Sequence, residues 1–339
     1  MMAGEVGVVG GVDPHADTIH VAVITTTGRR VADREFATTA DGYAAALAWL
    51  RAQGWPGRVG VEGSAGYGAG VTRALTAAGA EVVEVERPTR SARRRAGKSD
   101  RLDAYHAARA VLAERFSPVK NPAIDGVRAL HVARRTAVQN ETQAINQIRG
   151  LLVMADDLVR ARFAVRTAGR LVSAILASGD DDDTMIALRV LAERYRRLDQ
   201  EVRMLTRRLG QRVRELNPRL LEVYGVGPDS AAQLLITAGM NPDRLRSEAS
   251  LAALCGTAPV PASSGKTTRY RLSRGGDRAA NAALHRIALV RLSHDHPATR
   301  AYAAKQQARH RSGLELIRLL KRALIRELFK VLRDPIPAI

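Results

Sequence analysis

The first third of the chain is a succession of short apolar runs broken by turn residues. Val6, Val8, Val9 and Val12 form a β-rich run that passes Asp13-Pro14 and resumes over 18–26. Thr27-Gly28 is a turn signal, and 30–38 alternates as a third strand. Asp41 is the expected N-cap of a helix through 44–49. The pattern then predicts a strand at 58–62, a glycine-rich turn at 63–70, a helix at 71–78 and a strand at 81–85. Hairpin strands followed by strands that alternate with helices predict a mixed α/β sheet, in a first domain at about 1–115.

The period changes from 125 to 216, which reads as helix. Leu188, Tyr195, Val202, Leu209 and Leu216 recur every seven residues, and Leu191, Leu198 and Leu205 fill the positions three beyond, until Arg212 breaks the row. Such a seam predicts a coiled coil, antiparallel or between chains, in a middle region at 116–216. The acidic run 179–183 reads as a turn. After Asn217-Pro218 the texture becomes short helices with glycine turns, and 217–339 is a third, mostly helical region. The expected fold class is therefore α/β plus α.

Charge sharpens this picture. The formal net charge is +19, and 47 of the 53 cationic side chains are Arg. An excess of this size points to a polyanionic partner, usually nucleic acid. The single cysteine, Cys255, excludes a disulfide framework and a Cys-ligated zinc site, and fits a reducing cytosol. No apolar run approaches a membrane span, and nothing at the N-terminus reads as a signal peptide. A cytoplasmic, nucleoid-associated location and no membrane partner are expected.

Four acids stand out by position. Asp13 ends the first strand, Glu62 ends the fourth, and Asp100 and Asp103 open the helical pattern 100–115 three residues apart. Strand ends and helix N-termini of an α/β sheet converge on one rim. Clustered carboxylates there call for a cation, and hard oxygen donors suit Mg²⁺. The segment 87–101 carries six Arg and one Lys against one Asp, and Arg93, Arg94, Arg95 and Lys98 are candidate phosphate contacts. Gly225 and Gly227 form a turn ahead of a helix, able to offer free N–H groups to a phosphate or to serve as a plain interhelical turn. Ser263, Ser264, Gly265, Lys266 and Thr267 resemble a phosphate loop, but Val260 stands where that motif needs Gly, which excludes an NTPase. This polar loop has Lys266, Arg269 and Arg271 beside it, and a hydroxyl there needs a base, a metal or nearby cations to become a nucleophile.

The combined segments resemble a known family, the DEDD-type insertion-sequence transposases, recombinases that use a non-coding bridge RNA. The matching pieces are GVDPHADTIHVAV (11–23), VEGSAGYG (61–68), KSDRLDAYHAARA (98–110), LLEVYGVGPDSAAQLL (220–235) and SLAALCGTAPVPASSGKTTRYRLSRGGDRAANAALH (250–285). The resemblance implies an RNase H-like N-terminal domain, similar to Holliday-junction resolvases, with Asp13, Glu62, Asp100 and Asp103 as its metal-binding tetrad. It implies a coiled-coil middle and a C-terminal transposase domain with a helix-hairpin-helix-like turn, whose nucleophilic serine maps onto Ser264, next to Ser263. It also implies Mg²⁺ as cofactor, donor and target DNA and a guide RNA as partners, and a homo-oligomer, dimer or tetramer, in which tetrad and serine come from different chains. The competing readings are a metal-dependent junction nuclease without serine chemistry and a non-catalytic nucleic-acid-binding protein.

Overall fold

The structure, a computed structural model, describes residues 7–86, 100–165, 167–262, 270–271, 273, 275–294 and 296–333. These residues form two compact units. One runs up to Pro122 and includes Ala238–Arg246; the other comprises Ala123–Thr237 and Ser247 onward.

The first unit is built on a mixed sheet. Its strands are β1 (Val8–Pro14), β2 (Thr18–Thr25), β3 (Arg30–Ala37), β4 (Arg58–Glu62), β5 (Glu81–Val85) and the short β6 (Ser117–Pro118), in the order β3-β2-β1-β4-β5-β6. The β1–β2, β2–β3 and β5–β6 pairs are antiparallel, and the β1–β4 and β4–β5 pairs are parallel. Among the described residues of this unit, α1 (Ala40–Ala52), α2 (Ala69–Ala77) and α3 (Asp100–Leu112) are α-helices.

Strand alternation sends successive side chains to opposite faces. On one face Val12, Val21, Val23, Val59 and Val61 pack with Leu50 of α1 and Leu75 of α2. On the other, Ala22 and Ile24 meet Ala104, Tyr105 and Ala108 of α3. The N-cap of α1 differs from expectation. Thr39 takes that role, accepting a hydrogen bond from the Gly42 amide at 3.1 Å, while Asp41 lies in the first turn. The Thr39 backbone is extended, the conformation a cap requires.

In the second unit α4 (Ile124–Met154) packs lengthwise against α7 (Asp183–Leu216). The heptad seam is the inward face of α7: Leu188, Leu205, Leu209 and Leu216 are buried, and Leu191, Tyr195, Leu198 and Val202 are half-buried. The short helices α5 (Asp157–Arg162) and α6 (Ala168–Leu176) close one end over Ile148, Phe163, Ile175 and Met185. Asp182 caps α7 by accepting from the Met185 amide at 3.0 Å, so the acidic run, expected as a turn, leads directly into a helix start.

The chain continues through α8 (Arg219–Glu222), α9 (Pro228–Ala238), α10 (Glu248–Leu254), the paired strands β7 (Val260–Pro261) and β8 (Tyr270–Arg271), α11 (Arg278–Ser293), α12 (Pro297–Gln307) and α13 (Gly313–Arg333). Helices α10, α11 and α12 all pack on α13. Among the described residues no helix is long and apolar enough to cross a membrane.

Candidate active site

The carboxylates converge because of a pair of glycines. Gly11 and Gly60 are cross-strand neighbours on β1 and β4. A Cβ on Gly11 would collide with the Ala104 carbonyl and the Ala108 amide, and one on Gly60 would meet Val111 and the Ala107 carbonyl. Helix α3 thus lies directly on bare backbone. Two residues beyond each glycine, on the same face, stand Asp13 and Glu62. Two strand residues advance about 6.6 Å, and the four helical residues from Ala104 back to Asp100 span about 6 Å. The acidic first turn of α3 therefore sits over the ends of β1 and β4. This is also where strand order reverses direction, the usual crevice of an α/β sheet.

Asp13 and Glu62 are buried, while Asp100 and Asp103 are half-buried. Burial raises the Asp13 carboxyl to about 6. His15 opposes the rise, and the charges of Glu62, Asp103 and Asp100 add to it. The four carboxylates singled out in the sequence are thus near enough to share one field.

Two histidines join them that sequence reasoning had not singled out. His15 Nε2 lies 3.2 Å from Asp13 Oδ2 and 3.2 Å from Asp100 Oδ1. Asp13, His15 and Asp100 form a group whose ligand atoms all lie within 4.8 Å of one another. Asp13 Oδ2 and His15 Nε2 are both buried and make no hydrogen bond. Unsatisfied buried acceptors beside further carboxylates fit a divalent cation. The second histidine, His106, sits one helical turn beyond Asp103. Burial, with help from Arg115, holds it below the usual imidazole range against the pull of Asp103 and Glu62. The signal for both lay in the spacing: two residues after a strand-end Asp, and three after a helical one.

The remaining candidates divide into described and undescribed. Arg93, Arg94, Arg95, Lys98, Ser263, Ser264, Lys266 and Arg269 lie outside the described residues. Arg271 is exposed on β8, next to an exposed Tyr270. Gly225 adopts a left-handed conformation with φ of +82°, and its α-carbon faces Ile287 and Arg291 of α11. Gly227 opens on free space ahead of α9. The first turn of α9 carries Asp229, which accepts from Arg134 at 2.6 Å and from Arg286 at 2.8 Å, with His131 at 3.3 Å. The guanidinium Nε of Arg291 donates to the Tyr224 carbonyl at 2.8 Å and so holds the turn from below.

Comparison with known proteins gives the same answer from two separate stretches. A family model for DEDD transposases of the IS110 type matches residues 10–155, and one described as "Transposase IS116/IS110/IS902 family" matches residues 217–304. A protein of Streptomyces coelicolor, the "Insertion element IS110 uncharacterized 43.6 kDa protein", is 30% identical over 194 residues. That match covers 52% of this chain and 46% of the relative, about half of each. The first model takes in Asp13, Glu62, Asp100 and Asp103 and the second takes in residues 263–269. The chain belongs to the IS110/IS116/IS902 family of insertion-sequence transposases.

Proposed function

We propose that this protein cuts and rejoins the DNA strands of an insertion sequence, with Asp13, Glu62, Asp100 and Asp103 as a metal-holding tetrad and Ser264 as nucleophile. The observation that carries the reading is the convergence of Asp13, His15 and Asp100, whose ligand atoms all lie within 4.8 Å of one another, with the charges of Glu62 and Asp103 close enough to act on Asp13. Four carboxylates at one strand rim repel one another, and a bound cation would offset that repulsion. The three-stranded meander followed by two parallel strands supports an RNase H-like assignment of the first unit.

Mg²⁺ held there would supply charge stabilisation to a scissile phosphate. The residues themselves do the rest. Asp13 and Glu62, fixed on rigid strand ends, together with Asp100 and Asp103 in the first turn of α3, would hold that ion. The Ser264 hydroxyl attacks phosphorus, loses its proton and forms a Ser Oγ–P bond. The P–O3′ bond breaks, and the departing oxygen takes up a proton to leave a free 3′-hydroxyl. Attack of a 3′-hydroxyl on the phosphoserine reverses these bond changes and joins the new strand. The basic segment with Arg93, Arg94, Arg95 and Lys98, and the loop residues Lys266, Arg269 and Arg271, contact nucleic-acid backbone, while pairing with a guide RNA selects sequence. The protein acts as a homo-oligomer, dimer or tetramer.

The test is strand exchange in vitro between donor and target DNA, with the RNA transcribed beside the gene. Ser264→Ala should abolish exchange and the covalent protein–DNA adduct, and Asp13→Asn should abolish both. Cutting that survives Ser264→Ala would support a junction nuclease instead. Unchanged exchange in Asp13→Asn and Glu62→Gln would remove the cluster from catalysis.

A further inference from the structure

We propose that His15 is a direct nitrogen ligand of the carboxylate centre, and that it makes the position shared with Asp13 and Asp100 one for a first-row transition ion such as Mn²⁺ in preference to Mg²⁺. This rests on the tetrad reading above and deepens it.

The argument begins with the two orphaned atoms. Asp13 has a side chain only 5% exposed, and its Oδ2 makes no hydrogen bond. His15 Nε2 points at that oxygen and at Asp100 Oδ1, 3.2 Å from each, yet its own geometry satisfies no hydrogen bond. An imidazole serving as a plain hydrogen-bond partner would be aligned with one carboxylate. This nitrogen is shared between two oxygens and aligned with neither. Ligand atoms on adjacent corners of an octahedron with bonds of about 2.1–2.2 Å lie about 3.0–3.1 Å apart. Two separations of 3.2 Å meeting at the nitrogen fall close to that spacing.

The backbone that carries the imidazole is also held in place. The His15 amide donates to the Thr18 carbonyl at 2.8 Å, closing the turn between β1 and β2, and the His15 carbonyl accepts from Thr38 Oγ1 at 3.5 Å. The ring therefore projects from a fixed backbone.

Donor chemistry then selects the ion. Mg²⁺ prefers oxygen and keeps its waters, whereas imidazole favours the transition series. A mixed set of one nitrogen and carboxylate oxygens suits Mn²⁺, which accepts both. Glu62 and Asp103 offer oxygen alone.

The experiment uses the full chain, freed of metal with chelator and titrated with Mn²⁺ under electron paramagnetic resonance, with Mg²⁺ as competitor. Pulsed spectra of the bound ion should show coupling to a directly bonded nitrogen. His15→Ala should remove that coupling and weaken Mn²⁺ at least about tenfold, with Mg²⁺ affinity changed less than about threefold. Mn²⁺ bound without nitrogen coupling in the unmodified protein overturns the proposal, and that spectrum decides the matter even where His15→Ala fails to fold. An equal loss for both ions, or tighter binding in His15→Ala, also overturns it. Asp13→Asn separates the two levels of argument. If it abolishes Mn²⁺ binding while the nitrogen signal is missing from the unmodified protein, only the role of His15 fails. If Asp13→Asn binds as the unmodified protein does, or neither binds, the tetrad itself fails.

Discussion

The Tyr105 hydroxyl donates a hydrogen bond of 2.8 Å to Asp33 Oδ1, joining α3 to β3 across 72 positions of sequence. The same oxygen accepts from Arg101 Nε at 2.8 Å, and His20 Nε2 lies 3.0 Å from Oδ2. Burial alone would push the Asp33 carboxyl up, but hydrogen bonds from His20, Tyr105 and Arg101 outweigh it and hold the group below the usual carboxylate range. Arg30 covers the Tyr105 ring at 4.5 Å. This network fixes the first turns of α3, where Asp100 and Asp103 reside.

Asp33→Ala should therefore lower unfolding free energy by about 2–4 kcal/mol, because Tyr105 and His20 both lose a charged partner. Tyr105→Phe should cost only about 1 kcal/mol. Urea titrations give both values. Calorimetric titration of Asp33→Ala should also show weaker divalent-ion binding, since the acidic turn loses its tether.

Gly11→Ala should be damaging despite adding a single methyl group. That methyl would overlap the Ala104 carbonyl and the Ala108 amide, which are backbone atoms of a helix and cannot rotate away. Helix α3 must lift, at a cost of about 1–3 kcal/mol or more, and Asp100 and Asp103 move with it. Gly57→Ala, whose methyl would meet nothing within 4 Å, should leave stability unchanged. Thermal unfolding of the two variants makes the comparison.

Two aspartates should respond to pH in opposite directions. The folded-state pKa of Asp13 is raised from 3.8 to about 6, so its favourable contribution is complete at low pH and lost as pH rises through 6. In chelator, Asp13→Asn should stabilise the protein by about 2–3 kcal/mol near neutral pH, and the gain should vanish below about pH 4. For Asp229, burial raises the carboxyl, but His131, Arg134 and Arg286 together hold it below its usual range. Its contribution is present above 3.8 and lost as pH falls further. Asp229→Asn should therefore destabilise at neutral pH and converge on the unmodified protein in acid. Denaturant midpoints across the pH range test both signs.

Asn281 and Lys321 should behave unequally although they touch. Lys321 is buried and donates to Asn281 Oδ1 at 2.8 Å, while Asn281 Nδ2 donates to the Cys255 and Gly256 carbonyls at 2.9 Å. Asn281→Ala strands a buried cation and two carbonyls, and should cost about 2–4 kcal/mol. Lys321→Met removes the cation and keeps its volume, and should cost less than about 1 kcal/mol. Denaturation of each single variant and of the pair would show the coupling.

Much of the first unit was legible in the chain itself. The strand expectations at 18–26, 58–62 and 81–85 rest on short β-branched runs that can only be buried, and each matches a strand to within a residue or so. The Leu and Tyr spacing along α7 gave its inward face correctly, because a seven-residue repeat keeps one side of a helix apolar. The cap of α1 is not legible in the sequence, because Thr39 and Asp41 are both good capping residues and only backbone conformation separates them. Ala238–Arg246 joins the sheet unit through Asn241 Nδ2, which donates to the Val119 carbonyl at 2.9 Å, and through the Arg244–Glu84 ion pair at 2.6 Å. Contacts across more than a hundred residues leave no periodic trace.

The order of residues alone decided which segments become strand or helix and which acids stand at their ends, because alternation, heptad spacing and turn residues act over a few neighbours. Only the folded chain decided that Gly11 and Gly60 lie side by side beneath α3, that this bare track seats Asp100 above Asp13, and that His15 turns its ring nitrogen toward both. Those are distances between remote parts of the chain. They are set by how closely a helix can approach a sheet, a quantity that no local pattern encodes.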